Sequence, residues 1–229
     1  QGLLADDEPR RARFLFERHL VHTPDSADGW AGLAACLLAL GEVDRAHGAV
    51  VRAVTLAPDN PNHCWNLSAV AHAQGRLGGC YLALLDYTEQ TVDGFDGAVG
   101  DVRERVALAR RFIAEYERIA RLEHPGHEAE EVAAVDELVF RGAALLDGGE
   151  PGRALTLLES AVAALPVHCP ALTALGRVFI ATGQPDRAEG ILHRALVARP
   201  GDPAALAALA LVERGAGAAA VGRCDRRGG

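Results

Sequence analysis

Apolar positions along this chain fall at helical spacing. Leu33, Leu37 and Leu40 form one stripe, and Leu172, Leu175 and Phe179 form another. Apolar residues three and four apart share one face of an α-helix. The β-branched residues that do cluster, such as Val50 and Val51, sit inside helical periods, so no strand is expected. The stripes themselves recur. Gly41 and Gly75 lie 34 residues apart, as do Gly149 and Gly183, each at the same point of the same apolar pattern. A period of that size indicates helix–turn–helix units that stack, because one unit alone cannot bury its apolar face.

Four units align, at residues 27–60, 61–94, 135–168 and 169–202. The first carries Trp30, Leu33, Ala34, Leu37, Gly41, Ala46, Val50, Ala53 and Pro58. The third carries Leu138, Arg141, Gly142, Leu145, Gly149, Ala154, Leu158, Ala161 and Pro166, and the fourth Leu172, Leu175, Gly176, Phe179, Gly183, Ala188, Leu192, Ala195 and Pro200. The second is weaker: Cys64, Leu67, Ser68, Ala71, Gly75, Cys80, Leu84 and Tyr87, with Val92 where the others have proline. Small residues at Ala34, Ser68, Gly142 and Gly176, and at Ala46, Cys80, Ala154 and Ala188, let two helices approach closely while bulky neighbours fill the grooves. The glycine permits a left-handed stop, and the proline after the second helix blocks its continuation. Pro151 and Pro185 stand at the start of second helices, where the missing N–H costs nothing. This signature resembles the tetratricopeptide repeat (TPR). The resemblance implies an all-α fold, a TPR-type α-solenoid of antiparallel helix pairs.

The period extends past both ends and breaks in the middle. Ala12, Phe16 and Pro24 stand one period before Ala46, Val50 and Pro58, so residues 7–22 read as the second helix of a repeat whose first helix is missing. An end repeat ordinarily carries a polar cap, which leads to the expectation that residues precede this chain. Leu206 and Leu209 stand one period after Leu172 and Leu175, so residues 203–214 read as a closing first helix, followed by a Gly/Ala/Arg-rich tail at 215–229 expected to be disordered. Between Gly94 and Val135 the register fails. Residues 91–100 read as a loop, and Asp101 with Glu104 form an N-cap pair that opens a helix over 101–123. Along it Val102, Val106, Ala109, Ile113, Tyr116 and Ala120 alternate four-three-four, a heptad-like seam that Phe112 and Ile119 widen. The seam could pair two copies of the chain or pack within one. Fewer than four heptads are present, which favours packing within one. The next helix is expected to start near Glu128. The layout is thus a TPR block at 1–94, a loop and long connecting helix at 95–134, a TPR block at 135–214 and the tail: two short blocks joined by a long irregular helix.

Composition narrows the function. No apolar run approaches a membrane span, and no basic segment precedes an apolar one as in a signal peptide. Every one of the 23 basic residues is arginine and methionine is absent, a usage that points to a GC-rich bacterial genome. Without lysine, Schiff-base and P-loop chemistry are excluded. The net charge of −8 is uneven: from Val135 onward 10 arginines face 10 acidic residues, leaving 13 against 21 before it. A nucleic-acid partner calls for a basic stripe instead, so none is expected. Five cysteines with no CxxC pair argue against a disulfide framework or zinc motif and for a cytoplasmic location. Cys36, Cys80 and Cys64 fall on helix-packing positions.

Candidate chemistry is sparse. His63-Cys64 and His168-Cys169 are adjacent pairs, with His72 and Cys80 near the first, but no ligand spacing recurs and packing accounts for them. His124 and His127 flank Pro125-Gly126 at a helix C-terminus, where the dipole favours histidine. Asp93 and Asp96 lack the spacing of a calcium loop. No nucleophile, base and oxyanion motif is assembled. Neither cofactor nor metal is expected, and no enzyme activity.

In TPR folds the first helices of successive repeats line a concave groove. By that resemblance the groove residues of the first block are Asp28, Ala31, Ala35, Leu38, Asn62, Trp65, Asn66, Ala69 and His72. Those of the second are Asp136, Val139, Phe140, Ala143, Leu146, Thr173, Arg177 and Ile180. Asn66 matches one position of the subclass that clamps chaperone C-termini, but Ala31 and Ala35 stand where that clamp needs Lys and Asn, so that ligand is rejected. Trp65 and Arg177 are the expected anchors, since aromatic and arginine side chains dominate hot spots. The resemblance implies a non-catalytic adaptor holding a peptide or helix of a protein partner. Two other readings are the repeat region of a larger enzyme or regulator, such as a TPR-containing transferase, and self-association through 101–123.

Overall fold

The computed structural model describes residues 8–92 and 100–224, with side chains placed for 8–91 and 102–215. Among the described residues there are eleven α-helices and no strand. They are α1 (Glu8–His22), α2 (Ala27–Ala39), α3 (Val43–Leu56), α4 (Pro61–Ala73), α5 (Leu77–Val92), α6 (Gly100–Glu123), α7 (Ala129–Asp147), α8 (Pro151–Ala164), α9 (Cys169–Ala181), α10 (Pro185–Ala198) and α11 (Pro203–Cys224). The chain forms two compact units, Gln1–Ala133 and Ala134–Gly229.

Within each unit the repeat signature is realised at every turn. Gly41, Gly75, Gly149 and Gly183 hold φ of 76°, 72°, 79° and 70°, left-handed values that side-chain-bearing residues rarely adopt. Each closes its first helix with the same two hydrogen bonds. At the first, Gly41 N donates to Leu38 O at 3.0 Å and Glu42 N to Leu37 O at 2.9 Å; at the fourth, Gly183 N donates to Ile180 O at 3.1 Å and Gln184 N to Phe179 O at 2.8 Å. This is a Schellman stop. It reverses the chain sharply, so the second helix folds back on the first.

Small residues then let the helices meet. Ala34, Ala46, Ala154 and Ala188 are fully buried. A Cβ on Gly142 would stand 2.6 Å from Leu158 Cγ, and one on Gly176 would stand 2.7 Å from Leu192 Cγ. Both of these helix pairs therefore interlock a glycine with a leucine. In the first unit, the ring of Phe16 in α1 lies over Gly32 of α2, where a Cβ would sit.

A feature the pattern did not reveal is a side-chain cap before four of the first helices, α2, α4, α9 and α11. Ser26, Asn60, His168 and Asp202 occupy equivalent positions, and each side chain accepts from a backbone N–H of the next turn: Gly29, Asn62, Ala171 and Ala205 respectively. Such caps contribute about 1 kcal/mol each.

Three boundaries differ from expectation. Helix α5 runs through Thr91 to Val92, and α6 begins at Gly100, which places Asp101 inside its first turn rather than at its cap. Asp93 and Asp96, whose spacing argued against a calcium loop, lie outside the described residues. Helix α11 continues to Cys224 instead of ending near 214. No proline follows Pro203, and Ala216, Ala218, Ala219 and Ala220 are strong helix formers.

The long helix α6 belongs to the first unit. Val106 and Ala109 are buried with Cys64, Ala71, Cys80, Leu84 and Tyr87 of α4 and α5, and Val102 and Ile113 pack on the same cluster. Tyr116 stacks on Tyr81 of α5 with ring centroids 4.5 Å apart. The heptad-like seam is thus occupied by the chain's own α4 and α5. Its residues Val102, Arg105, Val106 and Ala109 repeat the spacing of Cys64, Leu67, Ser68 and Ala71 after 38 residues rather than 34. The first three turns of α6 therefore act as the first helix of a further repeat, displaced by a four-residue insertion.

Candidate functional site

Because α6 takes a first-helix position, the first unit presents three first helices side by side: α2, α4 and α6. Two depressions lie along them. The smaller, of about 250 Å³, lies between α2 and α4 and is lined by Ala35, Leu38, Asn66 and Ala69 together with Ala34, Ala39 and Val70. The larger is an open groove of about 1110 Å³, with Trp65, Ser68, Ala69 and His72 of α4 on one side. Leu108, Ala109, Arg111, Phe112, Ala114, Glu115 and Arg118 of α6 form the other side, over Cys80 and Leu84 of α5. Ala69 lines both. Apolar walls with a few polar points are the usual make-up of a binding cleft.

Trp65 joins core to groove. Its ring lies 5.2 Å from that of Tyr87, tilted by 53°, while the Arg105 guanidinium of α6 sits 5.4 Å above its face. The Tyr87 ring and the Arg105 cation together hold the indole in place. His72 meets the Phe112 ring edge-on at 6.3 Å. Arg118 donates to Glu115 through Nε at 2.9 Å and Nη2 at 2.7 Å, and this hydrogen bonding lowers the pKa of the Glu115 carboxyl.

Cys80 forms part of the floor and is 3% exposed. Burial pushes its thiol up to about 11. Only the thiolate attacks alkylating reagents, so in a Cys224→Ser variant Cys80 should react no faster than the protein unfolds. A fast folded-state reaction at Cys80 below pH 9.0 would contradict this burial. Since the folded pKa exceeds the ordinary thiol value of 9.0, the contribution of Cys80 to stability is intact below that pH and falls as pH rises toward about 11.

Other expected groove residues are placed elsewhere. Asp28 and Asn62 stand in the first turns of α2 and α4 and line neither depression. Asp28 instead faces the buried His63 imidazole, with Oδ1 3.4 Å from Nε2. Ala31 and Thr173 are buried, at 8% and 5% exposure, a correction to their expected place on the open surface. Both share the register position of Trp65, which faces the first helix of the following repeat. The Thr173 hydroxyl accordingly lies 4.0 Å from Cys169 Sγ, on a helix against which α11 packs.

In the second unit, Val139, Leu146 and Ile180 are half-buried against the core, and Phe140 and Ala143 are half-exposed. Arg177 is ion-paired to Asp147 at 3.1 Å. The depression found there, of about 590 Å³, lies along the second helices α8 and α10, where Arg187 stacks 4.1 Å over Phe179 beside Glu159. It contains none of the expected residues.

The histidine–cysteine pairs have structural roles. Asp136, at the repeat position of Asp28, meets His168 Nε2 at 3.2 Å, so equivalent carboxylates each hold a buried imidazole. Cys36, Cys64, Cys80 and Cys169 are free and buried. Among the described residues no group of three or more His, Cys, Asp or Glu is placed to hold a metal ion. No described helix is long and apolar enough to cross a membrane.

The groove wall on α6 was missed by sequence reasoning, which read 101–123 as a connecting helix packed within the chain and assigned it no groove residue. The 38-residue echo of Cys64, Leu67, Ser68 and Ala71 was the available signal.

The tetratricopeptide repeat model matches residues 3–71 and 145–212. Similar solved structures include YrrB, a TPR protein with an unusual peptide-binding site, 16% identical over 84% of this chain and 96% of that one, with a TM-score of 0.35. A thermophilic TPR protein of Thermus thermophilus is 22% identical over 92% and 93% of the two chains, with a TM-score of 0.38. MamA is 13% identical over 84% and 90%, also with a TM-score of 0.38. No curated protein matches the chain.

Proposed function

The chain belongs to the tetratricopeptide repeat family, and from that premise we propose that it is a non-catalytic scaffold which holds a segment of a protein partner in the groove between α4 and α6. The observation that carries this reading is the groove itself. It is an open recess of about 1110 Å³ whose walls come from two first helices, and it includes three of the expected groove residues: Trp65, Ala69 and His72. A preformed cleft of this kind suits a peptide or an amphipathic helix, whose apolar side chains enter the recess while its polar face stays in water. The elongated α6 supplies a wall that the repeat pattern alone did not promise.

Affinity capture with the intact chain tests the reading, run beside a Leu108→Glu variant that retains the wild-type helicity and melting temperature and a Trp65→Ala variant assayed well below its own melting temperature. Partners held by the wild type should be lost from both variants. If both retain the same partners, the groove is not the binding face.

A further inference from the structure

The charges of this groove narrow the kind of partner, an inference that rests on the reading above. Before Val135 the chain carries 13 arginines against 21 acidic residues, so this part of the surface is negative on balance. The groove reverses the sign. Its formally charged lining residues are Arg111, Arg118 and Glu115, and Arg118 grips Glu115 through two hydrogen bonds of 2.9 and 2.7 Å. That leaves Arg111, which makes no hydrogen bond or ion pair with any described residue. Beside it stands Leu108, 55% exposed, and one residue further is Phe112 against His72.

A segment that enters here must cover Leu108 and Phe112 and draw the Arg111 guanidinium partly out of water. Desolvating an unpaired cation is unfavourable, whereas a carboxylate brought beside it restores two charge-assisted hydrogen bonds. A lysine or arginine at the same place would meet like charge in a partly dehydrated cleft. We propose that the groove selects an acidic, apolar protein segment. A large aliphatic or aromatic side chain enters between Trp65 and Phe112, and an aspartate or glutamate beside it pairs with Arg111.

Two synthetic peptides test this. Both carry the same leucine and phenylalanine residues; one has glutamate flanks and the other lysine flanks. Each is labelled with a fluorophore and titrated with the full chain by anisotropy. The glutamate peptide should bind about threefold to tenfold tighter, the range expected for one partly exposed ion pair set against one like-charge contact. Added salt should shrink that ratio, and Arg111→Glu should reverse the order. Trp65→Ala should weaken both peptides. Equal binding of the two peptides, or preference for lysine, would overturn the acidic assignment. If Trp65→Ala still weakened both, the groove reading would survive that loss. Binding that responds to neither variant would sink the groove reading itself, and no binding of either peptide would overturn the acidic, apolar class.

Discussion

Truncating Leu192 to alanine should cost about 2–5 kcal/mol of unfolding free energy. Leu192 is fully buried and lies where a side chain on Gly176 would otherwise reach, with its Cγ 2.7 Å from that glycine's notional Cβ. The loss would be a large share of a stability that for most domains totals about 5–15 kcal/mol. The converse change, Gly176→Ala, forces a methyl into the same space and should cost about 1–3 kcal/mol. The two changes are coupled because the added methyl occupies part of the void left by the leucine. The double variant should therefore lose less than the sum of the single losses. Urea unfolding curves of the four proteins measure this. A double variant as unstable as the sum, or more so, would mean that α9 and α10 do not interlock as described. Gly142 and Leu158, with the same contact at 2.6 Å, should behave alike.

The second large effect concerns binding. Removal of Trp65 should weaken the captured partner by about 2 kcal/mol or more, the mark of an interfacial hot spot. The ring is already held by Tyr87 and Arg105, so little side-chain entropy is lost when a partner covers its open part. The same contacts mean that Trp65→Ala will also loosen the core cluster around Tyr87. Leu108→Glu separates the two effects. Leu108 is 55% exposed, so its replacement leaves the fold nearly unchanged while placing a charge in the groove wall. Partner loss in both variants, measured by titration against the purified partner, locates binding in the groove. Loss in Trp65→Ala alone would mean that the tryptophan acts through stability.

Much of the fold was legible because its causes are local. A left-handed stop needs glycine, a close helix contact needs a small residue, and both needs recur every 34 residues. The α4–α6 groove was half legible. Trp65, Ala69 and His72 follow from the repeat register, but their counterparts on α6 do not, because the four-residue insertion moves them out of phase. Thr173 and Ala31 were misplaced for a different reason. Their position on a first helix faces the next first helix, and how far it stays open depends on how closely that neighbour approaches, which no local pattern encodes. The length of α11 was underestimated because the Gly/Ala/Arg-rich composition after residue 214 was read as disorder, whereas its alanines favour helix.

The partner segment is expected between α4 and α6. Site-directed photocrosslinking tests it most directly, with a photoreactive residue placed at Leu108 in the groove or at Val51, 42% exposed on the second helix α3. A covalent adduct with the partner is expected from position 108 and none from position 51. An adduct from position 51 with none from position 108 would contradict it.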